Sequence, residues 1–389
     1  MASTSLASAF ETEDFGEIKA LLDEILDGDE VSVLNAQVSA EALLQELNQH
    51  LEKSLSSGNI SEFVMSVGQY AVEKVKPKIS RWEEHGSVLL EVVSAFYEAD
   101  DEWQAAAHLL ACIPLESAQR AYSPLKKFRI MVHISQLLLE DSNSVEAGTW
   151  IGKAASLQSK IPASENELLA QFHACYARQL DFQRKFLDAS VRYHKLSVHL
   201  AEHAAMHEGE ADLQNVQDDI LTRAIVTCIL AEPSPARARM LATLYDDERS
   251  ASLPVWNILR DVHFCRRLKK DTVASFQAML MPHQMAILAS GFTVLEAAVI
   301  AHNFAAIAKV YRNISIAQCA AVLNVSEETA ESLAAKMIIS KALDGHIDQV
   351  SGQIVFSSAA DDVVLHDKWI ETLCNDLHRV VEKLPSSSV

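Results

Sequence analysis

Turn-forming residues are scarce in this sequence: its 389 residues include eleven glycines and nine prolines. That scarcity argues against turn-rich sandwiches and barrels and against disordered polymers, and it points to helices. Cysteines are few and scattered. Cys112, Cys175, Cys228, Cys265, Cys319 and Cys374 stand singly with no Cys-x-x-Cys, which excludes a disulfide framework and a thiolate zinc site and fits a reducing compartment. Basic residues are in deficit, 33 against 53 acidic, and the net charge of −20 repels phosphate backbones and acidic membrane surfaces. The first residues, MASTSLASAF, lack a basic start and a long apolar run, so no secretory signal is expected and the protein reads as intracellular. One long stretch is nearly free of charge. Met285 to Ala308 carries a single formal charge, Glu296, but its Gly291, His302, Asn303 and many alanines suit a buried helix pair rather than a membrane span. Missing too are a Gly-x-x-x-x-Gly-Lys loop, a Gly-x-Ser-x-Gly elbow and a Gly-x-Gly-x-x-Gly turn, so no catalytic residue and no cofactor site is expected.

What the sequence does contain begins with acid. Residues 1–70 hold thirteen acids and two bases, Lys19 and Lys53, a net −11. Leu43, Leu44, Leu47 and Leu51 recur there at helical spacing, so residues 1–85 read as an acidic helical arm, with solvated faces or a docking surface for a basic partner. A repeat follows. Tyr97, Trp103 and Ala106 stand at offsets that Leu139, Val145 and Gly148 reproduce 42 residues later, and Leu180, Phe186 and Ala189 a further 41 on. An acidic residue follows each first position (Glu98, Glu140, Asp181), which predicts a polar turn between antiparallel helices with a small residue at their closest approach. Residues 86–284 therefore read as a helical-repeat solenoid of the tetratricopeptide or HEAT kind, with a longer period than the former. Ala231-Glu-Pro-Ser-Pro235 predicts a turn between later helices.

Residues 285–358 change character. Ser315 is placed to cap a short helix bearing Ile316, Cys319, Ala320 and Leu323. Asn324 makes a turn, and Ser326 caps a second helix with Ala330, Leu333, Ala334, Met337 and Ile338 on one face. The segment HIDQVSGQIVF then predicts a hairpin turning at Ser351-Gly352. Two helices and a hairpin make a winged helix. Over residues 361–385, Val363, Ile370, Leu373, Leu377, Val380 and Leu384 alternate at spacings of three and four with His366 in the series, the seam of a long bundle helix. The fold expected is thus dominated by α-helix, with a small β-hairpin near the C-terminal end.

Three features invite chemistry. His199, His203 and His207 fall at i, i+4 and i+8, but they span two helical turns and lack the His-Glu-x-x-His order, so the expectation is a polar helix and no metal. A winged helix also suggests DNA. From Ile314 to Phe356, however, Lys336 and Lys341 face five acids, a net −3, and a groove-binding helix would lack its phosphate contacts. The one basic cluster, Arg266-Arg267-Leu268-Lys269-Lys270, lies outside this module and reads as a solvated helix end.

Solenoid, winged helix and terminal helix in this order resemble the PCI family, the scaffold subunits shared by the proteasome lid, the COP9 signalosome and a eukaryotic translation initiation factor. Local runs are similar to the signalosome branch: Ile113-Pro-Leu-Glu116, Leu138-Leu-Glu-Asp141, Cys175-Tyr-Ala-Arg178 with Arg184-Lys-Phe186, Arg239-Met-Leu-Ala-Thr-Leu244 with Asp247-Glu-Arg249, Ala278-Met-Leu-Met-Pro-His-Gln284 and Gly345-His-Ile-Asp-Gln349. The resemblance implies a non-catalytic scaffold subunit of the complex that removes Nedd8 from cullins, present in cytoplasm and nucleus. Its partners would be the other signalosome subunits and the neddylated cullin-RING ligase, with neither nucleic acid nor membrane. A PCI subunit of the proteasome lid or of a translation initiation complex is the nearest alternative, and a metal-binding hydrolase a remoter one. Two attachments are expected: a sheet edge at Ile354, Val355 and Phe356, and the terminal seam of Ile370, Leu373, Leu377, Val380 and Leu384.

Overall fold

The computed structural model describes residues 9–10, 14–26, 33–57, 61–116, 122–162, 164–204, 211–288, 291–356 and 369–374. The chain divides into two compact units, Met1–Gln183 and Arg184–Val389.

In the first unit, α1 (Phe15–Leu26), α2 (Val33–Ser56) and α3 (Glu62–Val75) precede α4 (Glu83–Ala99) and α5 (Trp103–Ala111). Beyond these lie α6 (Pro124–Glu140), α7 (Ser144–Leu157) and α8 (Asn166–Phe182). Leu43, Leu44, Leu47 and Leu51 are all buried along α2, which packs against α4. Asn48 Nδ2 donates to the carbonyl of His85 at 3.0 Å. One continuous apolar core runs from Ala9 through Leu90 to Cys175, so the acidic segment and the first helical pair share it across residue 85.

The repeat has a common joint. The chain leaves α4 through Asp101 and α6 through Ser142, in the left-handed region at φ 60° and 63°, and Arg184 takes the same conformation 42 residues further on. At each of the first two joints the chain is closed by a bond spanning five residues, from Glu102 N–H to Tyr97 O at 2.9 Å and from Asn143 N–H to Leu138 O at 2.8 Å. This is the glycine-type helix ending made without glycine. Carboxylates just before the joints reach the next pair. Glu140 accepts two bonds from Arg178, at 2.6 and 3.1 Å, and Glu98 meets His133 at 3.2 Å. The small residue of the second repeat corrects one expectation. A side chain on Gly148 would meet Gln179 Nε2 at 2.7 Å, so the close approach is to α8 of the following pair and not within its own pair.

In the second unit, α9 (Phe186–Ala204) pairs with α10 (Ala211–Leu230), and Ser190 Oγ donates to Ala224 O at 2.7 Å across them. The turn at Ala231 to Ser234 leads into α11 (Pro235–Asp246), with Ser234 as cap and Pro235 in the first turn. The Arg237 side chain is buried. It donates to Cys228 O and Ile229 O at 2.9 Å each, so a guanidinium satisfies the final carbonyls of α10. Within the 3₁₀ turn at Glu248–Ser252, Arg249 grips Asp247 and donates to Ser197 O and Oγ on α9.

Two further expectations change. The segment 285–308 is not a helix pair: a 3₁₀ turn (Pro282–Met285) and a bridge between Ile287 and Thr293 precede a single helix α14 (Val294–Val310). Gly291, at φ 81°, and the reciprocal bonds of Thr293 and Glu296 start the helix at that point. The basic run follows α12 (Trp256–His263) as an irregular loop over residues 266–269 and runs into the start of α13 (Lys270–Gln277), so only Lys269 and Lys270 form the expected helix end.

The joint at Ser142 carries a stability prediction. Replacing this exposed residue by Gly removes the left-handed penalty and should stabilise the chain by about 0.5–1 kcal/mol, whereas Ser142→Val should destabilise it by more than that. Thermal melts of both variants check this, and a Gly variant that melts below the parent would show that the conformation is not strained.

Candidate partner interface

The second unit carries a winged helix. Ser315 accepts from Gln318 N–H to start α15 (Ile316–Leu323), Asn324 ends it at φ 59°, and Ser326 accepts from Thr329 N–H to start α16 (Glu327–Ile339). A strand the sequence did not reveal precedes them. β1 (Asn313–Ser315) lies antiparallel to β3 (Gln353–Phe356), and β2 (Gly345–Asp348) pairs with the other side of β3, giving the order β1-β3-β2. The predicted hairpin is therefore part of a three-stranded sheet.

This topology corrects the expected edge. Ile354, Val355 and Phe356 lie in the central strand, with Ile354 opposite both Ile314 and Ile347. Ile354 and Phe356 point into the core, where Phe356 meets the Phe304 ring edge-on at 6.0 Å, and Val355 is half-buried. Among the described strands, β1 and β2 each pair with β3 alone, so the edges are Asn313 to Ser315 and, at the wing, Gly345 to Asp348. Gly345 is required where it stands, because a Cβ there would strike the carbonyl oxygen of Val355. The Asp348 carboxylate closes the following turn by accepting from Ser351 Oγ and from the Val350 and Ser351 N–H groups, which holds it below the usual carboxylate range. Val350 at the tip is fully exposed.

The terminal seam is seen in part. Residues 369–374 are helical, and Trp369, Ile370 and Leu373 are 69%, 59% and 63% exposed. Leu377, Val380 and Leu384 lie outside the described residues, as do His207 and the side chain of His203. The structure thus buries Ile354 and Phe356, leaves Ile370 and Leu373 in solvent, and does not bring the two groups together.

A polar anchor behind the module escaped the sequence reading. His302 is buried and donates through Nε2 to Arg266 O at 2.8 Å. The neighbouring Asn303 accepts from Leu268 N–H at 2.9 Å, and Arg267 donates to Val322 O at the end of α15. The loop before α13 is thereby fastened to α14 and α15. Its signal was available: a His-Asn pair inside an alanine-rich apolar helix must find partners if it is buried. Burial pushes the His302 imidazole down to about 4, although its bond to the Arg266 carbonyl works the other way.

Comparison with known proteins bears on both units. A family model described as PSMD12/CSN4, N-terminal, matches residues 7–201, and one described as PCI domain matches residues 277–358. The chain is 36% identical to COP9 signalosome complex subunit 4 of Dictyostelium discoideum over 321 residues, covering 82% of this chain and 78% of that protein. It is 34% identical to the protein of the same name from Arabidopsis thaliana, over 97% of this chain and 91% of the relative. For the Drosophila melanogaster protein the identity is 32%, over 93% and 86%.

The His302 anchor makes stability depend on pH. An unfolded imidazole titrates near 6.5 and the folded one near 4, so the folded state holds His302 neutral and its stability falls as pH drops through that window. Between pH 7 and 5 the parent should lose about 2 kcal/mol relative to His302→Gln, which retains a donor and does not titrate. Urea unfolding at both pH values measures the difference, and equal losses would show that this imidazole is not the sensitive group.

Proposed function

The chain belongs to the family of COP9 signalosome complex subunit 4, and from that premise we propose that it is a non-catalytic scaffold subunit that works by binding. Its attachments would be two. The β2 edge offers backbone donors and acceptors to a strand of a neighbouring winged helix, in place of the central residues Ile354 to Phe356. The helix expected over 361–385 offers Ile370 and Leu373, together with Leu377, Val380 and Leu384, to a bundle formed with the other subunits. The acidic arm of residues 1–85 would meet the neddylated cullin-RING ligase, its net −11 over residues 1–70 favouring a basic surface. A place in cytoplasm and nucleus agrees with this role. Among the described residues no helix is long and apolar enough to cross a membrane.

The observation that carries the proposal is the exposure of Trp369, Ile370 and Leu373 on one short helical stretch. Large apolar side chains grouped in this way gain stability by being covered by a partner. Because Ile370 and Leu373 face solvent in the single chain, Ile370→Asp with Leu373→Asp should leave its thermal melt within about 1 °C of the parent. In an assembled bundle the same charges would be buried at a cost of several kcal/mol, so the variant should fail to co-elute with the companion subunits. Normal incorporation of the double variant would overturn the reading of this helix as an attachment.

A further inference from the structure

The basic loop between α12 and α13 has no part in the winged-helix core or in the attachments proposed above, yet it is held in a fixed shape. The chain leaves α12 through Cys265, in the left-handed region at φ 51°, and Arg266 N–H closes the turn on Asp261 O at 2.8 Å. His302 and Asn303 then bind its backbone at Arg266 and Leu268, and the Leu268 side chain is buried beneath it. Arg266, Arg267 and Lys269 on the loop and Lys270 at the start of α13 remain exposed on a backbone with little freedom left to lose on binding. Neither Lys269 nor Lys270 makes an ion pair among the described residues.

Beside the loop stands a stack of rings. Tyr245 lies between Trp256, with centroids 4.9 Å apart, and His263, at 4.5 Å, both nearly parallel to it. Phe264 meets Tyr245 and His263 edge-on and is itself 50% exposed, with the Arg266 guanidinium over its ring at 5.5 Å. From Trp256 to Lys270 five bases face one acid, Asp261, a local charge of +4 in a chain of −20.

We propose that this ledge is a docking site for an acidic peptide segment bearing an apolar side chain. The cations of Arg266, Arg267, Lys269 and Lys270 receive its carboxylates, and Phe264 with the edge of the stack receives the apolar group. Charge complementarity selects the acidic ligand, and the rings select peptide over nucleic acid. Stacking a base requires an open ring face. Both faces of Tyr245 are taken by Trp256 and His263, and Arg266 covers a face of Phe264. Asp246, Asp247 and Glu248 follow Tyr245 in sequence and Asp271 follows Lys270, which disfavours a continuous phosphate backbone more than a short acidic segment. The inference does not rest on membership of the signalosome.

Fluorescence anisotropy with the purified full chain tests it. The probe is a fluorescein-labelled peptide of Glu and Asp around a central Phe-Leu pair. The controls are the same peptide with Ser-Ser at its centre and a single-stranded RNA of equal charge. Saturable binding of the probe should weaken about tenfold in Lys269→Glu with Lys270→Glu. It should weaken about fivefold in Phe264→Ser, and about as much for the Ser-Ser peptide. Circular dichroism of the charge variant should match the parent, since both lysines are exposed. No saturable binding of the probe, equal binding by parent and variants, or tighter binding of the RNA than of the peptide would each overturn the proposal.

Discussion

A helix ends in carbonyl groups that have lost their donors, and a glycine-poor chain must close those ends with other residues. Here Asp101, Ser142, Cys265, Asn324 and Lys341 take left-handed conformations, each followed by an N–H that reaches back five residues. Each costs on the order of 1 kcal/mol in backbone strain and returns a satisfied carbonyl and a fixed exit angle for the next element. Arg237 meets the same need at the end of α10 with a buried guanidinium. These closures decide which apolar faces meet. The pairing of α6 with α7, the turn from α15 to α16 and the loop that His302 holds all start from one of them.

Several of the runs that carry the family likeness hold contacts that fix one element against the next. Glu140 from Leu138-Leu-Glu-Asp141 is bound twice by Arg178 from Cys175-Tyr-Ala-Arg178. Arg249 binds Asp247 and the chain at Ser197, and Gln284 of Ala278-Met-Leu-Met-Pro-His-Gln284 is buried and accepts from Met281 N–H. Gly345 opens β2 because no larger residue fits against β3. Residues of this sort set how units stack, and stacking is what a scaffold contributes.

Much of this was legible because local physics dominates helices. The spacing of 41 and 42 residues reflects a turn whose left-handed residue recurs three or four positions after the first residue of each repeat, and the caps at Ser315 and Ser326 sit where side-chain chemistry places them. The sheet was harder to read. β1 has three residues, too few for an alternating pattern, and its pairing with β3 spans about forty positions, so an inner strand passed for an edge. The helix pair expected over 285–308 failed for a related reason: apolar content without a clear period does not locate a helix start, whereas Thr293 and Glu296 do. The seam proposed as an attachment was legible in the spacing of Ile370 and Leu373, both of which the structure leaves exposed. The aromatic stack was not, because Tyr245 and Trp256 are eleven positions apart and meet through the packing of α11 on α12.

The exposure of Trp369, Ile370 and Leu373 also bears on how much of this polypeptide a cell can keep. A copy without companions displays an adhesive stretch of the kind that draws chaperones and proteases, and it lowers the concentration at which unassembled copies aggregate. Were a partner to cover this helix as proposed, surplus molecules would be cleared while incorporated ones were shielded, and the abundance of the chain would follow that of its partner without a dedicated sensor.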